Sequence, residues 1–289
     1  MRKKGRLLIK VIINALKLCN RLSLWSKVAL LIILLTGLTG IFAGWLSPFP
    51  YNLPAGKALQ APDARHWLGT DDLGIDLWAQ ICHGARLSVG VGIGTALLAG
   101  LGGGAAGIVA GYCGGGIDRL VMRITDLMIV VPDLPLMIVL GVFFGPSVYN
   151  IILVLVLFSW TAPARIVRSK ILSLKQEQYI TAARSYGAGF LHLAVRHFLP
   201  GVWPLAAVSI IRLTGRAIVA EAGLSFLGLG DPVSKSWGLI LHHAVHFRGI
   251  YFTDFWQWWV MAPLIAITVL VTSLALLARD CEKLVNAKI

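Results

Sequence analysis

The chain has 289 residues, of which 57% are hydrophobic and only 13% are charged, and its mean hydropathy is +0.78. A water-soluble core of this length needs far less apolar surface, so the composition excludes an ordinary soluble protein and predicts a polytopic membrane protein in contact with lipid. The net charge of +13 would suggest nucleic-acid binding in a soluble chain. No nucleic-acid motif accompanies the charge, so no nucleic-acid partner is expected.

Six apolar segments reach the length of about 20 residues that crosses a bilayer. In chain order they lie at 28–46, 87–112, 124–144, 148–164, 202–220 and 260–277. The predicted fold class is therefore an all-α integral membrane protein with six transmembrane helices. No small-residue cleavage pattern follows the first segment, so it is expected to be an uncleaved span rather than a signal peptide.

The basic residues predict the orientation of these helices. Segments 1–27, 113–123, 161–200 and 278–289 carry 19 of the 26 Lys and Arg residues. By the positive-inside rule, these segments and both termini are expected to be cytoplasmic. The chain then divides into a cytoplasmic N-terminal segment (1–27), a first transmembrane helix (28–46), an extracytoplasmic segment (47–85), a core transmembrane domain (86–279) and a cytoplasmic tail (280–289).

The N-terminal segment is itself amphipathic. Its apolar residues interleave with lysines, which is typical of a helix lying along the inner membrane face, with an unstructured tail as the alternative. They are Leu7, Leu8, Val11, Ile12 and Leu16.

The four cysteines predict neither a disulfide nor a zinc site. Cys19, Cys113 and Cys281 are expected on the cytoplasmic side and only Cys82 on the opposite side, so no pair within one copy meets in an oxidising compartment. The spacings do not match a zinc motif, and no cofactor is predicted.

The stretch YITAARSYGAGFLHLAVRHFLP, residues 179–200, is a basic, soluble-looking segment between two spans. Ala182 and Ala183 are small enough for a helix to pack closely on a partner, Gly187 can turn the chain at a helix end, and Leu199-Pro200 can begin the next helix. The layout predicts a short helix, a bend and a return helix.

This spacing resembles the EAA loop of permease subunits in ABC importers. Thr181 stands at the position of the Glu that names the motif, and His197 stands where an aliphatic residue is usual. The resemblance implies that the loop, taken as 165–200, couples the chain to an ATPase. The residues that it implicates in coupling are Thr181, Ala182, Ala183, Gly187, Leu199 and Pro200.

Other strings resemble the C-type permeases of dipeptide, oligopeptide and nickel importers. They are HWLGTDDLGIDLW before the second span, where Ile75 replaces the usual Arg, the run from GYCGGGIDRL into the third span, and GLSFLGLGDPVSKSWG at 223–238. The resemblance covers about 68–277 and implies a type I ABC importer fold in a bacterial inner membrane. The implied partners are a second permease forming a heterodimer, two cytoplasmic ATPase subunits and an extracytoplasmic solute-binding protein. Short peptides and nickel, free or chelated, are both compatible cargoes.

The glycine-dense run 90–116 is not a phosphate-binding loop. No Gly-Lys-Ser/Thr follows it, and a span cannot adopt the strand-to-helix turn that cradles a nucleotide. The chain is therefore expected not to be an enzyme and to rely on ATP hydrolysis by partner subunits.

Two other function classes are alternatives for a chain of this composition. An intramembrane hydrolase could use Ser225, but it needs a base nearby, and all seven histidines are expected in loops or at interfaces. A passive channel is the second alternative, and a channel has no use for an ATPase-coupling loop.

Three charged residues are expected within spans, where an ionisable group usually faces a partner or a water-filled path. They are Asp133, Arg212 and Arg216, at comparable predicted depths, with Asp133 on a helix broken at Pro132 and Pro135. One interpretation is that they line the transport path, with Asp133 near one arginine. The alternative is that Asp133 only caps the restarted helix and the arginines snorkel or bind the second permease.

His242, His243 and His246, with Asp254 further on, form the densest set of possible metal ligands on the outer side. Imidazole suits nickel, and positions 242 and 246 share a face if the loop is helical. Because no complete ligand cage is formed, a solvated interfacial loop is favoured and no metal site is predicted.

Overall fold

The computed structural model describes residues 22–286. Residues 1–21, which hold most of the predicted amphipathic segment, and residues 287–289 of the predicted tail lie outside the described part. Within residues 22–286 the chain forms helices and connecting loops, with a single isolated bridge between Thr70 and Asp76.

The first helix, α1 (Leu24–Ile41), is apolar along its whole length and is followed by the short α2 (Ala43–Leu46). Ser23 caps α1 by accepting from the Ser26 backbone N–H at 3.3 Å. The same end of α1 is tied to the last helix, because the Ser23 and Ser26 hydroxyls both donate to the Asp280 carboxylate. The first and last spans therefore meet near the two ends of the chain.

The central helix α3 (Leu77–Cys113) has 37 residues, about 55 Å at 1.5 Å per residue, and begins ten residues before the predicted apolar window. Asp76 starts it by accepting from the Ala79 N–H at 2.8 Å. A Cβ placed on Gly103 would overlap the Trp160 carbonyl oxygen, and one placed on Gly107 would lie 2.5 Å from the Ala164 carbonyl oxygen. These glycines therefore let α3 approach a neighbouring helix backbone closely, as small residues do in membranes.

The predicted third span, 124–144, is not one straight helix. It consists of α4 (Gly115–Val130) and α5 (Asp133–Phe144), which meet at an angle of 92°. Val131 is extended before Pro132, since proline disfavours the helical conformation of the residue before it and has no N–H to donate. The interruption expected at Pro132 is present, and it turns the chain sharply.

The remaining helices continue the bundle. They are α6 (Val148–Ser159), α7 (Thr161–Leu174), α8 (Gln178–Ser185), α9 (Phe190–Leu193), α10 (Leu199–Phe226), α11 (Trp237–His246), α12 (Trp256–Trp259) and α13 (Met261–Asn286). A π-helical turn at Ala194–Phe198 precedes α10, and a 3₁₀ turn at Ile250–Phe252 follows α11. Helix α10 begins at Leu199 with Pro200 in its first turn, as the sequence predicts.

Five helical segments of the described chain are long and apolar enough to cross a membrane, and the bent α4–α5 pair raises the number to six if it counts as one span. Helix α3 is the centre of the bundle and packs against α1, α6, α7 and α10. We call the end of the bundle that carries residues 175–198 the loop end. The opposite end, which carries residues 47–76 and 227–259, is called the far end.

Candidate functional site

The loop end is built on a buried apolar base. Ile180 of α8, Leu193 of α9 and Phe198 of the π-helical turn are each fully buried. They pack against side chains from α7 and α10, namely Val167, Ile171, Leu174 and Val202. The loop is therefore a folded unit resting on two long helices.

The outer face of α8 is exposed. Thr181 and Ala182 face solvent, and the Tyr186 side chain at the end of α8 is 92% exposed. Ala183 differs from its neighbour, because it is half-buried and packs against the apolar base. Of the two predicted coupling alanines, Ala182 is thus the one that presents its side chain outward, while Ala183 also supports the loop.

The predicted bend lies at Gly187, whose φ of +82° is in the left-handed region that favours glycine. The Gly187 N–H donates to the Arg184 carbonyl at 2.9 Å, and the Ala188 N–H donates to the Ala183 carbonyl at 3.0 Å. These bonds satisfy carbonyls at the end of α8, as in other glycine-terminated helices. Nothing lies within 4 Å of a Cβ built on Gly187.

The loop is joined to the end of α3. Lys175 donates through Nζ to the Gly111 and Tyr112 carbonyls at 3.1 and 2.9 Å, where the helix dipole favours a cation. The Tyr112 ring lies 4.7 Å from the Phe190 ring, and the Arg184 guanidinium stands 5.0 Å above it. A displacement of the loop therefore acts on the longest helix of the bundle.

Ion pairs join α7 to α4 near the same end. Arg168 pairs with Asp118 through two hydrogen bonds, one of them 2.6 Å from Nη2 to Oδ2. Arg165, one turn earlier on α7, pairs with Asp126. Sequence reasoning missed both pairs because their partners are about 40 to 50 residues apart.

A polar cavity of about 430 Å³ lies among α4, α5, α6, α7 and α10. Asp133, the first residue of α5, and Arg216 of α10 both line it, together with Ser159 and Thr161. Neither charged side chain forms an ion pair or a hydrogen bond with any described residue. The structure thus brings two of the three predicted pathway charges to one cavity without joining them.

The third predicted pathway residue has a different position. Arg212 is half-exposed and pairs with Glu282 of α13, and it is not among the residues that line the cavity. Its partner lies two residues after Asp280, at the end of α13 that meets the start of α1. Arg212 therefore joins α10 to α13 and does not face the cavity that Arg216 lines.

The histidines of α11 are engaged with backbone. His242 Nδ1 lies 2.7 Å from the Phe226 carbonyl oxygen, and His246 Nδ1 lies 2.8 Å from the His242 carbonyl oxygen. Burial, with a smaller contribution from Lys235, lowers the pKa of His243. Among residues 22–286 no group of three His, Cys, Asp or Glu side chains could hold a metal ion.

A buried carboxylate that sequence reasoning missed lies beside Ser225. The Glu221 side chain, only 1% exposed, accepts from Ser225 Oγ at 2.7 Å and from Ser88 Oγ at 3.1 Å. Ser88 Oγ in turn accepts from the Trp237 N–H at the start of α11. The sequence signal that could have predicted this contact is an acidic residue one turn before Ser225 in an otherwise apolar helix. Ser225 therefore donates to a buried carboxylate that also accepts from Ser88, and this set of bonds ties α10 to α3.

A bundle of apolar helices, a folded loop at one end and a polar cavity between helices are together typical of a membrane transport subunit. The chain belongs to the family of binding-protein-dependent transport system inner membrane components, whose pattern matches residues 103–281. The EAA-like loop and the neighbouring strings predicted this family.

Named relatives agree with the family. The chain is 37% identical over 215 residues to the oligopeptide transport system permease protein OppC of Bacillus subtilis, covering 74% of this chain and 70% of that protein. It is 39% identical over 186 residues to the glutathione transport system permease protein GsiD of Pectobacterium atrosepticum, covering 64% and 62%. A second GsiD, from Escherichia coli, is 37% identical over 227 residues, covering 76% and 73%.

Proposed function

We propose that this chain is the permease subunit of an ATP-driven importer that takes up short peptides. Membership of the binding-protein-dependent family supports the transport role. The peptide cargo is supported by relatives named for oligopeptides and for glutathione, which is itself a tripeptide. The printed names of these relatives refer to peptides and not to nickel, so we propose peptides as the cargo.

The observation that carries this proposal is the structure of the loop end, where an exposed helix rests on a buried apolar base. A short helix exposes Thr181, Ala182 and Tyr186 on a buried base and is joined to α3 through Lys175. An exposed surface on a rigid base can bind a partner protein and transmit that partner's movement to the helices beneath it. We assign that partner as one of two cytoplasmic ATPase subunits, with both chain termini on the same side of the membrane.

The other proposed partners are placed on the remaining surfaces of this chain. A second permease would face α4 and α5, whose large apolar side chains include the 81% exposed Val130 and Phe143. A solute-binding protein would deliver cargo at the far end. Closure of the ATPases on ATP would draw the two permease loops together and tilt the helices, so that a central path switches between inward and outward access. Asp133 and Arg216 would line that path, and Arg212 would join α10 to α13.

Substitution of Ala182 by Arg tests the coupling surface. The side chain is exposed, so a large charged replacement should leave the loop folded while it overfills the contact with an ATPase. We expect Ala182→Arg to reduce both co-purification with the ATPase subunits and ATP-driven uptake of glutathione and trialanine at least tenfold.

Ala64→Arg is the matched control, since Ala64 is exposed at the far end of the molecule. It should retain ATPase association at the level of the unmodified protein, and both variants should reach the same amount in the membrane. Full association and uptake in the Ala182→Arg variant would refute the docking assignment.

A further inference from the structure

We infer that the polar cavity binds the two charged ends of a short peptide, with Asp133 receiving the terminal ammonium group and Arg216 the terminal carboxylate. The inference rests on the proposed peptide-import function and narrows its cargo to peptides with free ends. It concerns an open cavity of this subunit, lined in part by α4 and α5, where the second permease is proposed to face it, and it is separate from any recognition by a solute-binding protein.

The first support is that the Asp133 carboxylate has unused binding capacity. Asp133 is exposed to the cavity and makes no hydrogen bond with any described residue. It stands in the first turn of α5, directly after the N-cap residue Pro132. An ionised carboxylate accepts hydrogen bonds through two oxygens, so it can bind an ammonium group without losing an existing partner.

The second support is the contrast between Arg216 and its neighbours. Arg165, Arg168 and Arg212 each pair with a carboxylate within the described chain, whereas Arg216 does not. A guanidinium group has five N–H donors in a planar fork and binds carboxylates through two parallel hydrogen bonds. Arg216 is therefore the cavity's available carboxylate receptor.

The third support is the separation of the two charges. They line one cavity, yet no nitrogen of Arg216 lies within 4.0 Å of a carboxylate oxygen of Asp133. The two side chains therefore do not neutralise each other directly, and a dipeptide, whose extended backbone spans about 7 Å, would have to bridge them. The cavity volume of about 430 Å³ is in the range of about 300–1,000 Å³ found for small-molecule sites.

The rest of the lining suits varied side chains. Met128, Met137, Leu155 and Leu213 line the cavity between and around the charges. Methionine is flexible and polarisable, so it adapts to ligands of different shape. Recognition would therefore depend on the charged ends of the peptide and discriminate weakly among its side chains.

The test measures protection of a cysteine placed in the cavity. Ser159→Cys introduces a thiol of nearly the same size, in a chain whose Cys19, Cys113 and Cys281 are changed to Ser and whose Cys82 is buried. The importer is assembled with its partner subunits in lipid nanodiscs without ATP, and the rate of reaction with a small maleimide is measured. The probes are dialanine, N-acetyl-dialanine, dialanine amide and N-acetyl-dialanine amide.

We expect dialanine to slow the reaction and each blocked end to weaken protection about tenfold, the effect of losing one charge-assisted hydrogen-bonded contact. Asp133→Asn should make dialanine and N-acetyl-dialanine equivalent, and Arg216→Gln should make dialanine and dialanine amide equivalent. Arg212→Gln is the matched control, because it removes a positive charge one turn away and should preserve the discrimination.

Equal protection by all four probes, protection by none of them, or the same loss of discrimination in the Arg212→Gln and Arg216→Gln variants would overturn the inference. ATPase association and hydrolysis are measured on the same samples. If the ATPase subunits associate and hydrolyse ATP while the probes are not discriminated, the peptide-end site fails and the importer function stands. If no ATPase associates, the proposed function itself fails.

Discussion

At the scale of single residues, the buried Glu221 carboxylate joins three helices. It accepts from Ser225 one turn later on α10 and from Ser88 on α3, and Ser88 accepts from the first N–H of α11. A carboxylate in an apolar bundle is stable only when such donors surround it. Glu221 therefore positions α11 against the two longest helices.

Removing this carboxylate should destabilise the bundle. Glu221→Ala leaves the Ser88 and Ser225 hydroxyls without their acceptor and opens a cavity, at a cost of about 2–4 kcal/mol. The apparent Tm of the purified protein in detergent, followed by tryptophan fluorescence, should fall by several degrees. Glu221→Gln keeps the shape and one acceptor oxygen, so its cost should be about 1 kcal/mol.

Glu282→Ala is the control, because it removes a carboxylate that is partly exposed and not buried. Its pair with Arg212 is partly exposed, and exposed pairs contribute only about 0–1 kcal/mol. An apparent Tm for Glu221→Ala as high as that for Glu282→Ala would show that the buried hydrogen-bonded set does not stabilise the protein.

The contrast between Glu221 and Gly187 shows which structural roles can be predicted from the sequence. The role of Gly187 is local, since its bend depends on its own φ and on carbonyls three and four residues before it. The partners of Glu221 and Arg212 include Ser88 and Glu282, which are 133 and 70 residues away. No local pattern encodes such pairs, so the bend was predictable and the long-range contacts were not.

At the scale of elements, the left-handed bend at Gly187 sets the direction in which the chain leaves α8. A β-branched residue in this conformation costs about 1–2 kcal/mol or more, whereas Asn tolerates it. Since nothing lies within 4 Å of the added Cβ, a substitution here changes only backbone strain. We expect Gly187→Val to increase hydrogen exchange across residues 178–198, measured by mass spectrometry, and Gly187→Asn to resemble the unmodified protein.

The exchange of residues in α1 and α13 provides the internal reference, because neither helix contributes a residue to the apolar base of the loop. Increased exchange there as well as in the loop would indicate general destabilisation. Unchanged loop exchange in the Gly187→Val variant would show that the left-handed turn does not hold the loop together.

The third span shows that the sequence predicts a break in a helix but not the angle of that break. Hydropathy alone joined 124–144 into one window because both halves are apolar, while Pro132 predicted an interruption but not its angle. The 92° turn depends on how α4 and α5 pack against α6, α7 and α10, and on the Asp118 and Asp126 pairs with α7. These contacts are tertiary, and they also create the polar cavity.

At the scale of the whole molecule, the 37-residue α3 links the loop end to the far end. Asp76 caps its start at the far end, and its last carbonyls bind Lys175 at the loop end. Gly103, Gly107 and Gly111 let α7 pack closely against the last third of α3. A continuous helix therefore connects the two ends, which is the property that the proposed coupling of loop motion to a change of access requires.

The excess of Lys and Arg at one end predicts how this axis lies in the membrane. Cys113 is exposed at the loop end, and Ala64 is exposed at the far end. In spheroplasts, a membrane-impermeant maleimide should label an Ala64→Cys variant from outside. Native Cys113, in a chain whose Cys19 and Cys281 are replaced by Ser, should react only after the membrane is permeabilised. The reverse pattern would place the loop outside, away from cytoplasmic ATP, and would contradict both the orientation and the assignment of its docking partner.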